Sequence, residues 1–184
     1  MASVVFPDPK AAGHIAGPSP RSKARIAGVF YFITIVTSIY FFFPGRGTPL
    51  GHVAGLLAGA AYLVVTLLLY YLLKPVKPSV SALAALFGVV GIAHTNDSLF
   101  FFGFYCILLG YLIYQSTFFP RVLGAIMALA GFGLLINAVK TLLPGPLVHN
   151  LSVIGFTLDA GEIIFALWLV VVGVNVQKWN DKAG

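Results

Sequence analysis

The run VLGAIMALAGFGLLINAVKTLL, residues 122–143, carries one charged side chain, Lys140, in an otherwise apolar stretch. A helix crosses the hydrocarbon core of a bilayer with about 20 predominantly apolar residues, so this run is long enough to span a membrane. We therefore predict a transmembrane helix here. The segments on either side of it show the same pattern.

The composition of the whole chain agrees with this prediction. Of its 184 residues, 59% are hydrophobic and 9% are charged, and the mean hydropathy is +0.98. These values are typical of a protein that uses lipid as its solvent, and they leave no room for a separate soluble domain. The formal charge of +6 is spread between apolar runs, so it does not predict a nucleic-acid surface.

Short breaks rich in Pro, Gly, Asn or charge divide the chain into six apolar segments, at 26–43, 51–73, 79–94, 98–115, 122–143 and 151–176. We predict an all-α fold, a polytopic integral membrane protein built as a bundle of six transmembrane helices. Residues 1–24, rich in Pro, Gly and Ser, predict a flexible cytoplasmic tail. The transmembrane domain is expected at residues 25–178 and a second cytoplasmic tail at 179–184.

The basic residues predict the orientation, because Lys and Arg in short loops stay in the cytoplasm. With six spans, one side of the membrane receives most of them: Lys10, Arg21, Lys23, Arg25, Lys74, Lys77, Arg121, Lys178 and Lys182. The other side receives Arg46 and Lys140. Both termini are therefore expected in the cytoplasm.

Four stretches resemble the bacterial domain of unknown function 4386 family of small multi-helix membrane proteins: FFGFYCILLGYLIYQSTFFPRVLGAIMALAGFG (101–133), RIAGVFYFITIV (25–36), LLLYYLLKPV (67–76) and GEIIFALWLVVVGV (161–174). The most specific part is 110–124. The resemblance implies a multi-pass protein of the bacterial inner membrane, and it implies no established reaction. The family often has a charged third helix and a His in the fourth. Here the third segment carries no charge, and Tyr105 stands at the position of that His.

The run LDAGEIIFALWLV, residues 158–170, contains two carboxyl groups, Asp159 and Glu162, on one helical face. A carboxylate at the bilayer centre costs about 2.5–3.5 kcal/mol, so each needs a partner, water or a proton. Asn137 and Lys140 share a face of the preceding segment. We predict an intramembrane polar cluster of these four residues, with Asp159 paired to Lys140 and Glu162 protonated. It could be a proton relay, an ion site or a binding site for a cationic or polar group, but interhelical hydrogen bonding is favoured.

A second set of polar residues is expected at the opposite rim from the basic loops: His52, His94, Asp97, His149 and Arg46. Three imidazoles and a carboxylate could bind a metal ion, which makes the three His residues metal candidates. No spacing places two of them on one helical face, however, so a solvated rim is the favoured interpretation. We predict no metal site, and the sequence identifies no cofactor.

Small residues recur at four-residue intervals, as in Gly51, Gly55 and Gly59, and similar patterns follow at Gly103 with Gly110 and at Gly124 with Ala128. Such faces let helix backbones approach closely. Packing within the bundle is favoured, and a homo-oligomer or a membrane-protein partner on these faces is the alternative. The single cysteine, Cys106, excludes an internal disulfide and is interpreted as a small hydrophobic residue.

The sequence contains no phosphate-binding loop, dinucleotide fingerprint, nucleophile elbow or zinc-protease motif. This favours a non-catalytic protein: an accessory or structural subunit, or a hydrophobic-ligand-binding module, of a membrane assembly in the lipid bilayer. Two alternatives stay open. One is a small proton- or ion-coupled transporter that uses Glu162 and Asp159. The other is a membrane-embedded enzyme that modifies lipids or depends on a metal.

Overall fold

The computed structural model describes residues 19–94, 97–139 and 145–184, except for the side chains of 145–150, 152 and 156. The elements over these residues are helices α1 (Pro20–Phe42), α2 (Pro49–Leu73), α3 (Pro78–Ala93), α4 (Ser98–Gln115), α5 (Arg121–Val139), α6 (Gly145–Val171) and α7 (Val176–Ala183). Five of them are long and apolar enough to cross a membrane, and α3 is a shorter apolar helix. The predicted all-α, multi-pass bundle is confirmed.

Helix α1 begins at Pro20, inside the segment that the sequence assigned to the N-terminal tail. Ser19 caps it, because the backbone N–H of Ser22 donates to Ser19 Oγ at 3.2 Å. Proline suits the first helical position, where its missing N–H would have no helical acceptor. These local signals start the helix before the apolar run begins.

Helix α6 ends at Val171, earlier than the apolar pattern predicts. Gly173 takes a left-handed conformation with φ 72°, which stops the helix. The N–H groups of Val172 and Gly173 both donate to the carbonyl of Trp168, at 2.9 and 3.0 Å. The chain then turns into α7, capped by Asn175, whose Oδ1 accepts from the N–H of Lys178 at 3.1 Å.

Helices α1 to α6 form a closed ring. Each helix packs against its neighbours in the chain, and α6 returns to pack against α1. Large side chains fill the middle of the ring, and the largest fully buried ones include Tyr31, Tyr105, Phe165 and Met127. The core of the protein is therefore made of inward-facing side chains from several helices rather than of one helix threaded through the centre.

Glycines bring neighbouring helices into backbone contact. A Cβ atom added to Gly110 of α4 would lie 2.6 Å from the backbone N of Ala128 and 2.6 Å from the carbonyl oxygen of Gly124, both on α5. One added to Gly131 would lie 2.6 Å from the carbonyl oxygen of Gly103. These small-residue faces therefore pack between helices of the same chain. In lipid the hydrophobic effect does not drive helices together, so close van der Waals packing of this kind stabilises their association.

One end of the ring collects positive charge, and we call it the basic end: Arg21, Lys23, Arg25, Lys74, Lys77, Arg121, Lys178 and Lys182. Contacts between helices tie it together. The guanidinium of Arg25 donates to the carbonyl of Val171 at 3.3 Å, and the ammonium of Lys23 lies 3.4 Å from the ring centroid of Tyr71. Trp179 of α7 donates its indole N–H to the carbonyl of Leu72 at 2.9 Å.

Candidate functional site

A carboxyl group lies inside the ring, midway through the bundle. Glu162 is at the middle of the apolar span Val153–Val171, Tyr31 is at the middle of α1, and Cys106 is near the middle of α4. The hydroxyl of Tyr31 donates to Glu162 Oε2 at 2.8 Å, and the thiol of Cys106 donates to Glu162 Oε1 at 3.3 Å. Each carboxyl oxygen thus accepts a hydrogen bond from a different helix.

Two more tyrosines extend this group, and we call the five residues Tyr31, Tyr62, Tyr105, Cys106 and Glu162 the central cluster. The ring of Tyr62 lies edge-to-face between those of Tyr31 and Tyr105, with centroid distances of 5.8 and 5.7 Å. Tyr31, Tyr105 and Cys106 are at most 1% exposed and Tyr62 is 5% exposed. Glu162 is half-buried. Helices α1, α2, α4 and α6 all contribute, so the cluster depends on the packing of these four helices.

The side chains of the central cluster bear protons that can be exchanged, as phenol, thiol or carboxyl groups. Over the described side chains, the hydrogen bonds to Glu162 come from Tyr31 and Cys106, and no Lys, Arg or His side chain forms an ion pair with it. A carboxyl group in a protein core that accepts hydrogen bonds from neutral donors can hold a proton, or can become an anion supported by those donors. The arrangement is therefore suited to binding and releasing a proton.

Asp159 faces the neighbouring helix α5 instead. The side-chain amide of Asn137 donates to Asp159 Oδ2 at 2.9 Å. Two glycines make space for this contact, since an added Cβ would lie 2.6 Å from Asp159 Oδ1 at Gly133 and 2.6 Å from Asn137 Nδ2 at Gly155. Lys140, the predicted partner of Asp159, lies outside the described residues. The structure brings Asn137 and Asp159 together and gives Glu162 separate partners.

The predicted rim residues are exposed where the structure describes them. Arg46, His52, His94 and Asp97 all have exposed side chains, and the ring of His94 packs 5.3 Å from that of Phe101. The side chain of His149 lies outside the described residues. In the part of the chain that the structure describes, no three His, Cys, Asp or Glu side chains come together as a metal site.

Sequence reasoning missed the tyrosines of the central cluster and the role of Cys106. Tyrosine usually lies at the ends of a transmembrane helix, where its hydroxyl reaches water. A tyrosine at the middle of a span, such as Tyr31 or Tyr62, therefore needs a partner inside the protein, and this signal was present in the sequence. Cys106 is buried, as a small hydrophobic residue would be, but its thiol also contacts Glu162.

Together these features define an α-helical multi-pass membrane protein with a carboxyl group in its core. The family described as a domain of unknown function (DUF4386) matches residues 96–173, which include Cys106, Asn137, Asp159 and Glu162. An uncharacterized protein of Archaeoglobus fulgidus is 33% identical over 131 residues, which is 62% of this chain and 78% of that protein. No solved structure matches the chain significantly. The chain belongs to the DUF4386 family, as the resemblance indicates.

Proposed function

We propose that this protein is a small proton-coupled carrier and that Glu162 is its proton-binding group. The observation that carries the proposal is the pair of hydrogen bonds that Tyr31 and Cys106 donate to the two oxygens of a carboxyl group at the middle of the bundle. An ionisable residue at this depth is expensive and usually marks a proton or substrate pathway. The thiol and phenol donors would support an anion there, and no Lys, Arg or His among the described side chains forms an ion pair with it.

Protonation of Glu162 would change the packing between helices. A carboxylate accepts hydrogen bonds on both oxygens, whereas a protonated carboxyl group must itself donate one. Because Tyr31 lies on α1 and Cys106 on α4, gaining a proton alters the contacts that hold α6 to two other helices. A ligand or proton shifts a conformational equilibrium only by binding its states differently, and this arrangement supplies that difference.

The surroundings of Glu162 favour a small organic cation as the transported solute. Tyr31 contacts the carboxyl group, and its ring packs in a row with those of Tyr62 and Tyr105. Aromatic rings attract cations in desolvated sites. The protein would then exchange the cation for a proton. The cation would bind the carboxylate after the proton has left, so the net charge of the site would be the same in both states. Tyr31 and Tyr105 are at most 1% exposed, so the helices must part to admit a solute.

Replacing Glu162 with glutamine is expected to abolish proton binding in the core. In nanodiscs, difference infrared spectroscopy should show a carboxyl band that changes with pH in the parent protein and is lost in Glu162→Gln. The matched control is Asp159→Asn, which also removes one carboxyl group from α6 but should retain the band. The assignment of Glu162 as the proton-binding group would be contradicted if the pH-dependent band persisted in Glu162→Gln. It would also be contradicted if the folded parent protein showed no pH-dependent carboxyl band.

The same variants test transport. In proteoliposomes with an imposed pH gradient, ethidium serves as the organic-cation probe, and Glu162→Gln is expected to lose gradient-driven accumulation that Asp159→Asn retains. If proton binding is observed but neither ethidium nor a small tetraalkylammonium ion accumulates in the parent vesicles, the carrier proposal fails while the proton site stands.

A role as an accessory subunit is the second candidate, and the close helix packing favours it. The backbone contacts at Gly110 and Gly131 make α4 and α5 a rigid pair, which suits a structural component better than a moving one. A Glu162 that does not titrate, together with a stoichiometric membrane partner retained in mild detergent, would replace the carrier proposal with this one.

We further propose that the basic end and both termini face the cytoplasm of a bacterial inner membrane. The basic residues at this end support the orientation. In bacterial cells, green fluorescent protein fused after Gly184 is expected to fluoresce, and alkaline phosphatase fused there is expected to be inactive. Phosphatase inserted at Arg46, in the opposite loop, should be active. The reverse pattern of activities would overturn the orientation.

A further inference from the structure

A cavity of about 350 Å³ opens at the basic end, between the start of α1, the loop from α4 to α5, and the turn from α6 to α7. A second cavity of about 510 Å³ lies beside it and shares Thr117, Phe119 and Lys178 with the first. The two cavities adjoin at these residues, and together we call them the basic pocket. It lies at the opposite end of the bundle from the His-containing rim and away from the central cluster.

The basic pocket concentrates positive charge. Arg21 and Lys178 line the first cavity, and Arg121 and Lys178 line the second. No Asp or Glu is among the described residues that line either one, and Asp181 is exposed one turn further along α7. Helices α5 and α7 also begin here, so the positive ends of two helix dipoles add to the side-chain charges.

The residues that line the basic pocket also include hydrogen-bond donors other than the three cations. Trp168 lines the first cavity, and its indole Nε1 is buried without a hydrogen-bond partner among the described residues. An indole N–H can only donate, so it requires an acceptor oxygen. The hydroxyl of Thr117 and the amide of Asn175 lie on the same walls. Cations and donors without a carboxylate are the chemistry that binds a phosphate group.

The walls of the basic pocket are fixed by the backbone. Gly173, with its φ of 72°, lies so close to Arg21 that an added Cβ would be 3.2 Å from Arg21 Cγ. The N–H of Asn175 donates to the carbonyl of Phe118 at 3.4 Å, which joins the α6–α7 turn to the α4–α5 loop. The stem of Arg21 is thus packed against the turn, and the pocket is a built feature of the fold.

We propose that the basic pocket binds the phosphate group of an anionic phospholipid from the adjoining leaflet. Exposed side chains with apolar surface line it, since Val172 is 42% exposed and Tyr114 is 49% exposed. Acyl chains can lie along these residues while the headgroup lies among Arg21, Arg121 and Lys178. Basic pockets between transmembrane helices at the cytoplasmic side bind such headgroups by this combination of charge and apolar contact.

The test uses Trp168 as the reporter. The chain has two tryptophans, so Trp179→Phe leaves Trp168 as the sole indole. In detergent micelles, phosphatidylglycerol is expected to shift its emission saturably, and native mass spectrometry should show one retained lipid. Replacing Arg21 and Lys178 together with glutamine should weaken the apparent affinity about tenfold or more, because two charge-assisted contacts are lost.

The controls separate the lipid from other anions and from general charge. Arg46→Gln removes one positive charge at the opposite end and is expected to leave the affinity unchanged. Phosphatidylcholine should give no saturable shift. An equal response to phosphatidylcholine, or an equal loss of affinity in Arg46→Gln, would overturn the site. A saturable response to inorganic phosphate with none to phosphatidylglycerol would overturn the lipid assignment in favour of a free anion.

Discussion

Replacing Gly110 with alanine is expected to destabilise the bundle by about 3 kcal/mol, at the upper end of the range for overpacked cores. The new Cβ would lie 2.6 Å from the backbone N of Ala128 and 2.6 Å from the carbonyl oxygen of Gly124. Both atoms belong to main chain, which cannot rotate away as a flexible side chain can. Helices α4 and α5 must therefore separate, and the packing along their whole contact suffers.

Thermal unfolding in detergent, followed by circular dichroism, measures this loss, and Gly59→Ala is the matched control. At Gly59 the nearest atom to an added Cβ is Ile92 Cγ2 at 3.4 Å, an ordinary contact distance. Both substitutions gain a similar helix propensity, about 1 kcal/mol in water, so their difference isolates the contact with α5. Equal melting temperatures for the two variants would show that the α4–α5 approach is looser than described.

Replacing Tyr62 with alanine is expected to cost about 3 kcal/mol of stability, within the range for removing a large aromatic from a core. Its ring contacts those of Tyr31, Phe102 and Tyr105, with a centroid distance to Phe102 of 4.7 Å. In a bilayer the unfolded helices remain in lipid, so the cost comes from lost packing and the remaining cavity rather than from transfer out of water.

Tyr62→Phe and Leu67→Ala are the controls for that measurement. The phenylalanine keeps the ring and should retain most of the stability. Leu67 is on the same helix but 56% exposed toward the lipid, so its truncation should have little effect. Unfolding by titration with a denaturing detergent gives the free energies. A loss for Leu67→Ala as large as that for Tyr62→Ala would indicate that Tyr62 does not occupy the centre of the ring.

The sequence predicts the helices well because each span is set by local apolar length. Two of the ends that it misplaced depend on single residues: the Ser19 cap starts α1 early, and the left-handed Gly173 ends α6 early. The ring itself is not visible in the sequence, because closure of α6 onto α1 joins residues far apart in the chain. Periodicity identifies an inward face without identifying the helix it meets.

The candidate site also contains one contact that local sequence reasoning could predict and others that it could not. The facing positions of Asn137 and Asp159 follow from a short loop between antiparallel helices, so local reasoning could place them near each other. Glu162 contacts Tyr31 and Cys106, which lie 131 and 56 residues away in the chain. No spacing rule connects such partners. Only a mid-span hydroxyl, which has to find an acceptor within the protein, pointed to them.

The hydrogen bond between Tyr31 and Glu162 also sets an order for biogenesis. It joins residues 131 positions apart, the first span to the last. At about 5–20 residues per second, a ribosome needs on the order of ten seconds to deliver Glu162 after Tyr31 has been made. During that time the tyrosine hydroxyl lacks this carboxyl partner, and the ring of helices is not yet closed. A chain that stops before residue 162 lacks the C-terminal part of α6, so it cannot close the ring onto α1 through this contact.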